Sequence, residues 1–323
     1  MSKTSTFSRR QLLALSACAL PSISWAAWPE RTLRLVVPYA AGGGADNAAR
    51  IVAQRLGELL GQAVVIDNKP GAGGVIGADT VAKAAPDGYT ALFDASAYVV
   101  NPALRKLPYE PGRDFMPVSL IVTAPQILVV SPQSPYKTLG ELLAAARKSP
   151  DKISYASAGA ATASHLAAEL MADEAKVDLL HVPYKGGAPA LTDVMAGSVD
   201  MYFGNAASTL QHVVSGKLRA LGVSSRQRLK GLPHVPTLSE SGIPNYEVLE
   251  WNGLFLPKGT PADVVQRFAK EVQAAMADPK VRERLSQAGV IPVGDAPSEF
   301  GKFIDTESRR WQQLVKARGI KVD

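Results

Sequence analysis

The segment from Leu33 to Arg50, LRLVVPYAAGGGADNAAR, constrains this chain more than any other. Leu33-Arg34-Leu35-Val36-Val37 is apolar and β-branched and stops at Pro38, which has no N–H to give to a ladder, so it reads as a buried strand. Three consecutive glycines follow, Gly42, Gly43 and Gly44, where the backbone can take φ > 0 and come close to another group. Asp46 and Asn47 then supply helix-start chemistry, and Ala48, Ala49, Ile51, Val52, Leu56 and Leu59 recur at helical spacing. A strand, glycine loop and helix in this order aim free N–H groups, at the positive end of a helix dipole, beyond the strand's carboxyl end. The group that suits such a place is an anion, a carboxylate or a phosphate. The competing reading is a tight βα turn with no ligand, and the rest of the chain has to decide between them.

Residues 1–26 form a unit of their own. Lys3, Arg9 and Arg10 make a basic start, Gln11 to Leu20 an apolar run broken by Pro21, and Ser24-Trp25-Ala26 an A-x-A-like cleavage site, together an export signal. Its apolar core is far shorter than the ~20 residues of a spanning helix, and no other candidate span follows. Ser8-Arg9-Arg10-Gln11-Leu12-Leu13 resembles a twin-arginine signal, with a plain secretory signal as the alternative. Leu15-Ser16-Ala17-Cys18 also resembles a lipobox, which would make Cys18 a lipid-anchored terminus; Pro21 and the Ala26 site suit ordinary cleavage and a periplasmic location. Cleavage after Ala26 leaves no cysteine, which excludes disulfides, thiolate metal sites and thiol catalysis. It also removes three of the basic residues, so the formal charge of +6 falls to +3. No Lys/Arg block interleaved with aromatics appears, which argues against a nucleic-acid surface.

At 323 residues the chain is long enough for two domains of ~150 residues each, and strands alternate with helices along it. Ala63 to Ile66 reads as a second strand, Gly77 to Ala85 as a helix, and Tyr89 to Phe93 as a third strand ending at Asp94-Ala95-Ser96. Val118 to Val130 is too long for one ordinary strand, so two strands joined by a crossing are expected, with a boundary near Pro125. The alternation then restarts. Thr138-Leu139-Gly140-Glu141 resembles a capping box opening a helix to Lys148, Ile153 to Ala156 is a strand, Ser157 to Thr162 a second small-residue loop, and Ser164 to Ala172 a helix. Strands at Leu179–Pro183, Val199–Phe203 and Ala220–Val223 follow, the first with the exit loop Tyr184-Lys185-Gly186-Gly187 and the second leading to Asn205. Trp251 to Leu256 and helices at Ala262–Ala277 and Ser298–Ala317 close the chain and are expected to pack back on the first domain.

No catalytic arrangement stands out. His165, His181, His212 and His234 lack metal-ligand spacing, and neither G-x-S-x-G nor G-x-x-x-x-G-K-[ST] is present. His165, early in a helix, suits a hydrogen-bonded structural role. The rival reading is a dinucleotide site, since Asp67 ends the second strand at about the ~20-residue offset of a ribose-binding acid. Against it, the third glycine of G-x-G-x-x-G would fall at Asn47, and Asp46 would put a negative charge beside a pyrophosphate.

Six phrases in order carry a resemblance: VPYAAGGGAD at 37–46, NKPGAGG at 68–74, APDGYT at 85–90, HVPYKG at 181–186, LPHVPT at 232–237 and WNGL at 251–254. From about Trp28 to its C-terminus the chain resembles the extracytoplasmic solute-binding proteins of tripartite tricarboxylate transporters, the Bug or TctC-like family. The resemblance implies an α/β, two-lobed type II periplasmic-binding fold, each lobe a mainly parallel sheet flanked by helices. Lobe 1 would comprise 27–124 and 247–323, and lobe 2 would comprise 125–246. It implies a monomer without cofactor or metal that closes on a small carboxylate and delivers it to membrane permease subunits. The ligand would be held by Tyr39, Gly42, Gly43, Gly44 and Asp46, by Ser96, and by Ser157, Ala158, Gly159, Ala161 and Thr162, with Tyr184 and Asn205 lining the cleft. Ala45 stands where the family commonly has threonine, and Ala161 where it commonly has glycine. An exported nicotinamide- or flavin-dependent oxidoreductase and a ligand-sensing subunit for a receptor kinase are the alternative functions. Because Tyr39–Asp46 and Ser157–Thr162 contain no lysine or arginine, the anion is expected to rest on backbone amides, with Gly43 intolerant of a bulky side chain and Arg50 a surface or interlobe residue.

Overall fold

The apolar run Leu33–Val37 forms β1, the middle strand of a parallel trio, with β2 (Val64–Asn68) on one side and β3 (Thr90–Ala95) on the other. The computed structural model describes residues 28–321 except Lys185, so the export signal expected over residues 1–26 lies outside the described residues. Helix α1 (Gly44–Leu60) crosses from β1 to β2, burying Ala48, Ala49, Val52 and Leu56, and ends on Gly61 in the left-handed conformation. A 3-10 turn at Ala72–Gly74 and α2 (Val75–Ala82) lead to β3. Two helices that sequence periodicity does not reveal come next, α3 (Ala97–Leu104) and the single turn α4 (Pro111–Asp114).

Strand β4 runs from Phe115 to Val130 without a break. This corrects the expectation of two strands joined by a crossing. Its length is possible because it serves two sets of neighbours: Phe115–Pro125 pairs with β9 (Leu249–Pro257), and Gln126–Val130 with β7 (Met201–Asn205) and β8 (Arg219–Val223). Register shifts at Pro117/Ser119, Leu120/Val122 and Leu128/Val129 add the local twist that one strand needs to follow two sheets. Beyond β4 come α5 (Leu139–Lys148), β5 (Ser154–Ser157), α6 (Ala163–Ala175), β6 (Leu180–Pro183), α7 (Gly187–Ala196) and then β7, α8 (Ala206–Val214) and β8. Helix α5 opens with the expected cap: Thr138 Oγ1 accepts from Glu141 N at 3.2 Å, while Glu141 returns to Lys137 N.

The strand orders of the two lobes correspond. The first reads β2-β1-β3-β9-β4 and the second β6-β5-β7-β4-β8. In each the outer three strands are parallel, and the fourth place is taken by an antiparallel strand that enters from the other lobe. Helix α9 (Ala262–Ala277) packs Phe268, Val272 and Met276 into the core formed with Val52 and Leu56 of α1, as expected of a returning C-terminal segment. Helix α10 (Pro279–Gln287) and the short β10 (Ile291–Pro292), which pairs with β4, are not legible in the sequence. The last helix, α11 (Pro297–Arg318), reaches both lobes: Phe300 and Trp311 join the core that also holds Leu92 and Leu166, and Arg318 Nε donates to Glu169 Oε2 on α6 at 3.0 Å.

Candidate functional site

In open α/β sheets ligands sit beyond the carboxyl ends of the parallel strands. In the first lobe the loops after β1, β2 and β3 converge there. Gly42 has φ +82, a conformation only glycine takes without strain, and its N–H donates to Asp46 Oδ2 at 2.8 Å. Arg50 Nε donates to the same oxygen at 2.9 Å, and Asn68 Nδ2, at the end of β2, donates to Asp46 Oδ1 at 3.0 Å and to Tyr39 O at 3.1 Å. Asp46 is 1% exposed, so it faces into the loop and fastens it. Burial pushes its carboxyl up, but the bonds from Arg50, the Gly42 amide and Asn68 outweigh that and hold it below the ordinary carboxylate value.

The expectation for Gly43 needs correction. Its φ is −76, an extended conformation open to any residue, and a Cβ there would lie 3.4 Å from Ala40 O. The position whose backbone requires glycine is Gly42, at φ +82. Gly43 serves as the N-cap of α1 with no side-chain bond to offer, so the amides of Gly44, Ala45 and Asp46 are the orphan donors of the first turn. A Cβ built on Gly44 meets nothing within 4 Å, so the first residue of the helix borders open space. Arg50, held by Asp46 and by Asn68 Oδ1 at 3.3 Å, is committed to the loop.

Tyr39 reaches across to β3. Its hydroxyl donates to Asp94 Oδ1 at 2.8 Å, and Ala95 N donates to the same oxygen at 2.8 Å. Gly74, at φ +95, passes so close that a Cβ would stand 3.6 Å from Asp94 Oδ1 and 3.7 Å from the Tyr39 hydroxyl. Burial pushes the Asp94 carboxyl up to about 7, against the lowering effect of the two bonds it accepts. Sequence reading passes over Asp94 as a strand end; an acid at the carboxyl end of a parallel strand is the available signal. Ser96, buried beside it, starts α3 and accepts from Val99 N and Val100 N through its carbonyl.

The second lobe builds its loop from side-chain bonds. Ser157 Oγ lies 2.7 Å from His181 Nε2 and accepts from Gly159 N at 3.2 Å, while Ser164 Oγ accepts from Ala158 N at 2.9 Å. Thr162 Oγ1 donates to Gly159 O at 2.7 Å, and Ala161 N donates to His165 Nδ1 at 3.1 Å. Accepting at Nδ1 requires a neutral His165 with its proton on Nε2; burial, then His181, pushes its pKa down to about 3. The imidazoles of His165 and His181 stack at 4.1 Å, and His181 stacks on Tyr155 at 4.8 Å. His165 is therefore the structural histidine its helix position suggests.

Ala161 sits at φ +66, which explains in physical terms why a glycine suits this position. Ala161→Gly is expected to raise stability by about 0.5–1 kcal/mol, the relief of a left-handed alanine exceeding the added chain entropy. Urea unfolding of the two proteins checks the sign.

Two cleft candidates are already engaged. The Tyr184 hydroxyl donates to Asp193 Oδ2 at 2.6 Å on α7, and that bond, then burial, raises its pKa to about 12. Asn205 caps α8, its Oδ1 accepting from Ala207 N at 2.9 Å, and its Nδ2 donates to Glu250 Oε2 at 2.7 Å. Glu250 on β9 is missed by sequence reasoning. It pairs with Ala124, Asn205 pairs with Gln126 on the opposite edge of β4, and their side chains meet over Pro125. Tyr39 and Tyr202 are both raised, Tyr39 by burial and then by Asp94 with a smaller addition from the Glu250 charge, and Tyr202 by burial and then by Glu250.

Among the described residues no group of three or more His, Cys, Asp or Glu could hold a metal ion, and no helix is long and apolar enough to cross a membrane. A cavity of about 700 Å³ lined by Lys137, Gly140, Arg219 and His234 lies by the Val130 end of β4 and includes none of the residues above.

Comparison with known proteins gives three kinds of match. The family model of the tripartite tricarboxylate transporter family receptor matches residues 48–320. A curated relative, the UPF0065 protein in the tcbD-tcbE intergenic region of Pseudomonas sp. (strain P51), is 44% identical over 95% of this chain and 94% of its own. Among solved structures, the periplasmic binding protein BugD is similar with TM-score 0.80 and 40% identity, covering 91% of this chain and 99% of that one. The R. palustris protein Rpa4515 with adipate matches with TM-score 0.83 and 34% identity, over 91% and 99%.

Proposed function

The chain belongs to the tripartite tricarboxylate transporter receptor family, and on that premise we propose that it captures a small carboxylate between its lobes in the periplasm and passes it, as a monomer and without chemical turnover, to membrane permease subunits. The observation that carries this reading is the pair of small-residue loops, Tyr39–Asp46 and Ser157–Thr162, each at the carboxyl end of a parallel strand and each opening a helix whose first-turn amides are unpaired by helix geometry. The ligand contacts in this reading are Tyr39, Gly43, Gly44, Ser96, Ser157 to Gly159, Ala161 and Thr162, with Gly42, whose amide Asp46 already takes, and Asp46, Tyr184 and Asn205 shaping the cleft from behind or beside. The adipate in the related R. palustris structure supports a carboxylate as the class. Against the oxidoreductase alternative, Asp46 already fills the Gly42 amide that a pyrophosphate would need.

The lobe boundaries follow the same reading, 27–124 with 247–323 and 125–246. In support, β4 changes partner between Pro125 and Gln126, and β9 re-enters the first lobe from Leu249. Hinges there let binding shift the population to a closed form. A thermal-shift screen of mono-, di- and tricarboxylates and acidic amino acids tests capture, because ligand at about 100 times Kd adds ~2.7 kcal/mol to stability. Small-angle scattering with a hit should show compaction. A flavin or nicotinamide retained through purification, or no stabilisation by any carboxylate, would sink the reading.

A further inference from the structure

The electrostatics of the cleft are unusual for an anion receptor. The described loops Tyr39–Asp46, Asp94–Ser96 and Ser157–Thr162 contain no lysine or arginine, and the nearby guanidinium of Arg50 is spent on Asp46 and Asn68. Besides Asp46, which Arg50 pairs, two further carboxylates stand there. Asp94 lies behind Tyr39, bonded to its hydroxyl. Glu250 lies between the lobes, with Oε2 on Asn205 Nδ2 at 2.7 Å and no partner for Oε1 among the described residues. Asn205 cannot neutralise it, being an amide whose Oδ1 is used to cap α8. The positive potential comes from the first turns of α1 and α6, at the walls of the cleft. The negative charge sits at its floor, on β9 beside the seam of the two sheets.

We propose that Glu250 makes this cleft select amino-carboxylates over simple dicarboxylates, its free Oε1 receiving the ligand's ammonium while a ligand carboxylate takes the helix amides. The inference rests on the carboxylate-capture reading and deepens it. A second carboxylate brought to the floor would meet a like charge in a partly desolvated place, whereas an ammonium there forms a charge-assisted hydrogen bond.

The test uses two matched pairs, L-aspartate with succinate and L-glutamate with glutarate, each differing by one amino group, titrated calorimetrically into the wild-type protein and Glu250→Gln. The glutamine keeps an oxygen for Asn205 Nδ2 and so preserves the local bond; an unchanged Tm verifies it. Wild type is expected to bind one amino acid at least ~10-fold more tightly than its deaminated partner. In Glu250→Gln that ratio should collapse to near unity, with the dicarboxylate gaining. A wild-type preference for the dicarboxylates, or a ratio unmoved by Glu250→Gln, overturns the proposal and leaves carboxylate capture standing. Binding of benzoate or citrate with none of the four bound overturns it equally. If no carboxylate of any class binds, the capture reading falls and takes this proposal with it.

Discussion

Asp46→Ala should cost about 2–3 kcal/mol of stability and weaken ligand binding by about tenfold or more, although the side chain removed is itself an anion in a loop proposed to receive an anion. The reason is geometric. Asp46 accepts from Gly42 N, Arg50 Nε and Asn68 Nδ2, and with 1% exposure it has no water to hand these donors to. Alanine leaves the Gly42 amide without its acceptor, takes one of the two acceptors of the Asn68 amide, and frees a loop that contains a φ +82 turn. The amides of Gly44 and Ala45 would then no longer point at a fixed place, so the loss in binding comes from pre-organisation. Asp46→Asn should fall between, since its one oxygen can keep the Gly42 and Arg50 bonds while the Asn68 bond is lost. Arg50→Gln should do less than either, because the guanidinium is half exposed and Asp46 keeps its other partners. Urea unfolding and calorimetry on the three variants give the order. Unchanged stability and binding in Asp46→Ala would mean that the loop is held from elsewhere.

The second large effect concerns Asp94. Its carboxyl, pushed up to about 7 by burial, binds a proton more tightly folded than unfolded. The stability this contributes is fully present below the unfolded value near pH 4 and is lost as pH rises through about 7. Above pH 7 the folded protein carries a buried charge that the Tyr39 and Ala95 bonds only partly offset. Asp94→Asn keeps an oxygen for both donors and removes the charge. It is expected to be more stable than wild type at pH 8, by on the order of 2–4 kcal/mol, and equal to it near pH 4. Its pH–stability curve should lack the downward step between pH 4 and 7. Unfolding at four pH values checks this. A step that persists in Asp94→Asn would assign the titration to another group, with Asp295, also raised by burial, the next candidate. The same substitution should flatten any fall in carboxylate affinity across neutral pH, since the ionised form puts one more negative charge behind Tyr39, in a loop proposed to hold the ligand.

Local chemistry makes much of the fold legible. β1 at Leu33–Val37 is legible to the residue and α9 near Ala262–Ala277, because an apolar run ended by proline and a strong 3.6-residue period each point to one element. The Thr138 cap is legible for the same reason, donor and acceptor lying within one turn. α10, rich in charge with only Val281 and Leu285 buried, has too narrow an apolar stripe to detect. Sequence reading divides β4 in two because length is a property of strands with one set of neighbours, and this strand has two.

By itself, then, the sequence determined what a short stretch of chain can settle: which segments are strands and helices, that glycine-rich loops follow β1 and precede α1, that cation side chains are missing from those loops, and which family's phrases recur in order. The tertiary structure alone decided what depends on atoms far apart in sequence meeting. It put the left-handed, glycine-requiring turn at Gly42 instead of Gly43, and fastened Asp46 to Asn68, 22 residues on. It also set Tyr39 against Asp94, 55 residues away, and brought Glu250 onto Asn205, 45 residues back, over a proline in a third strand. Backbone propensity acts between neighbours and survives in the linear chain, whereas desolvation and charge act through space and exist only once the sheet has closed.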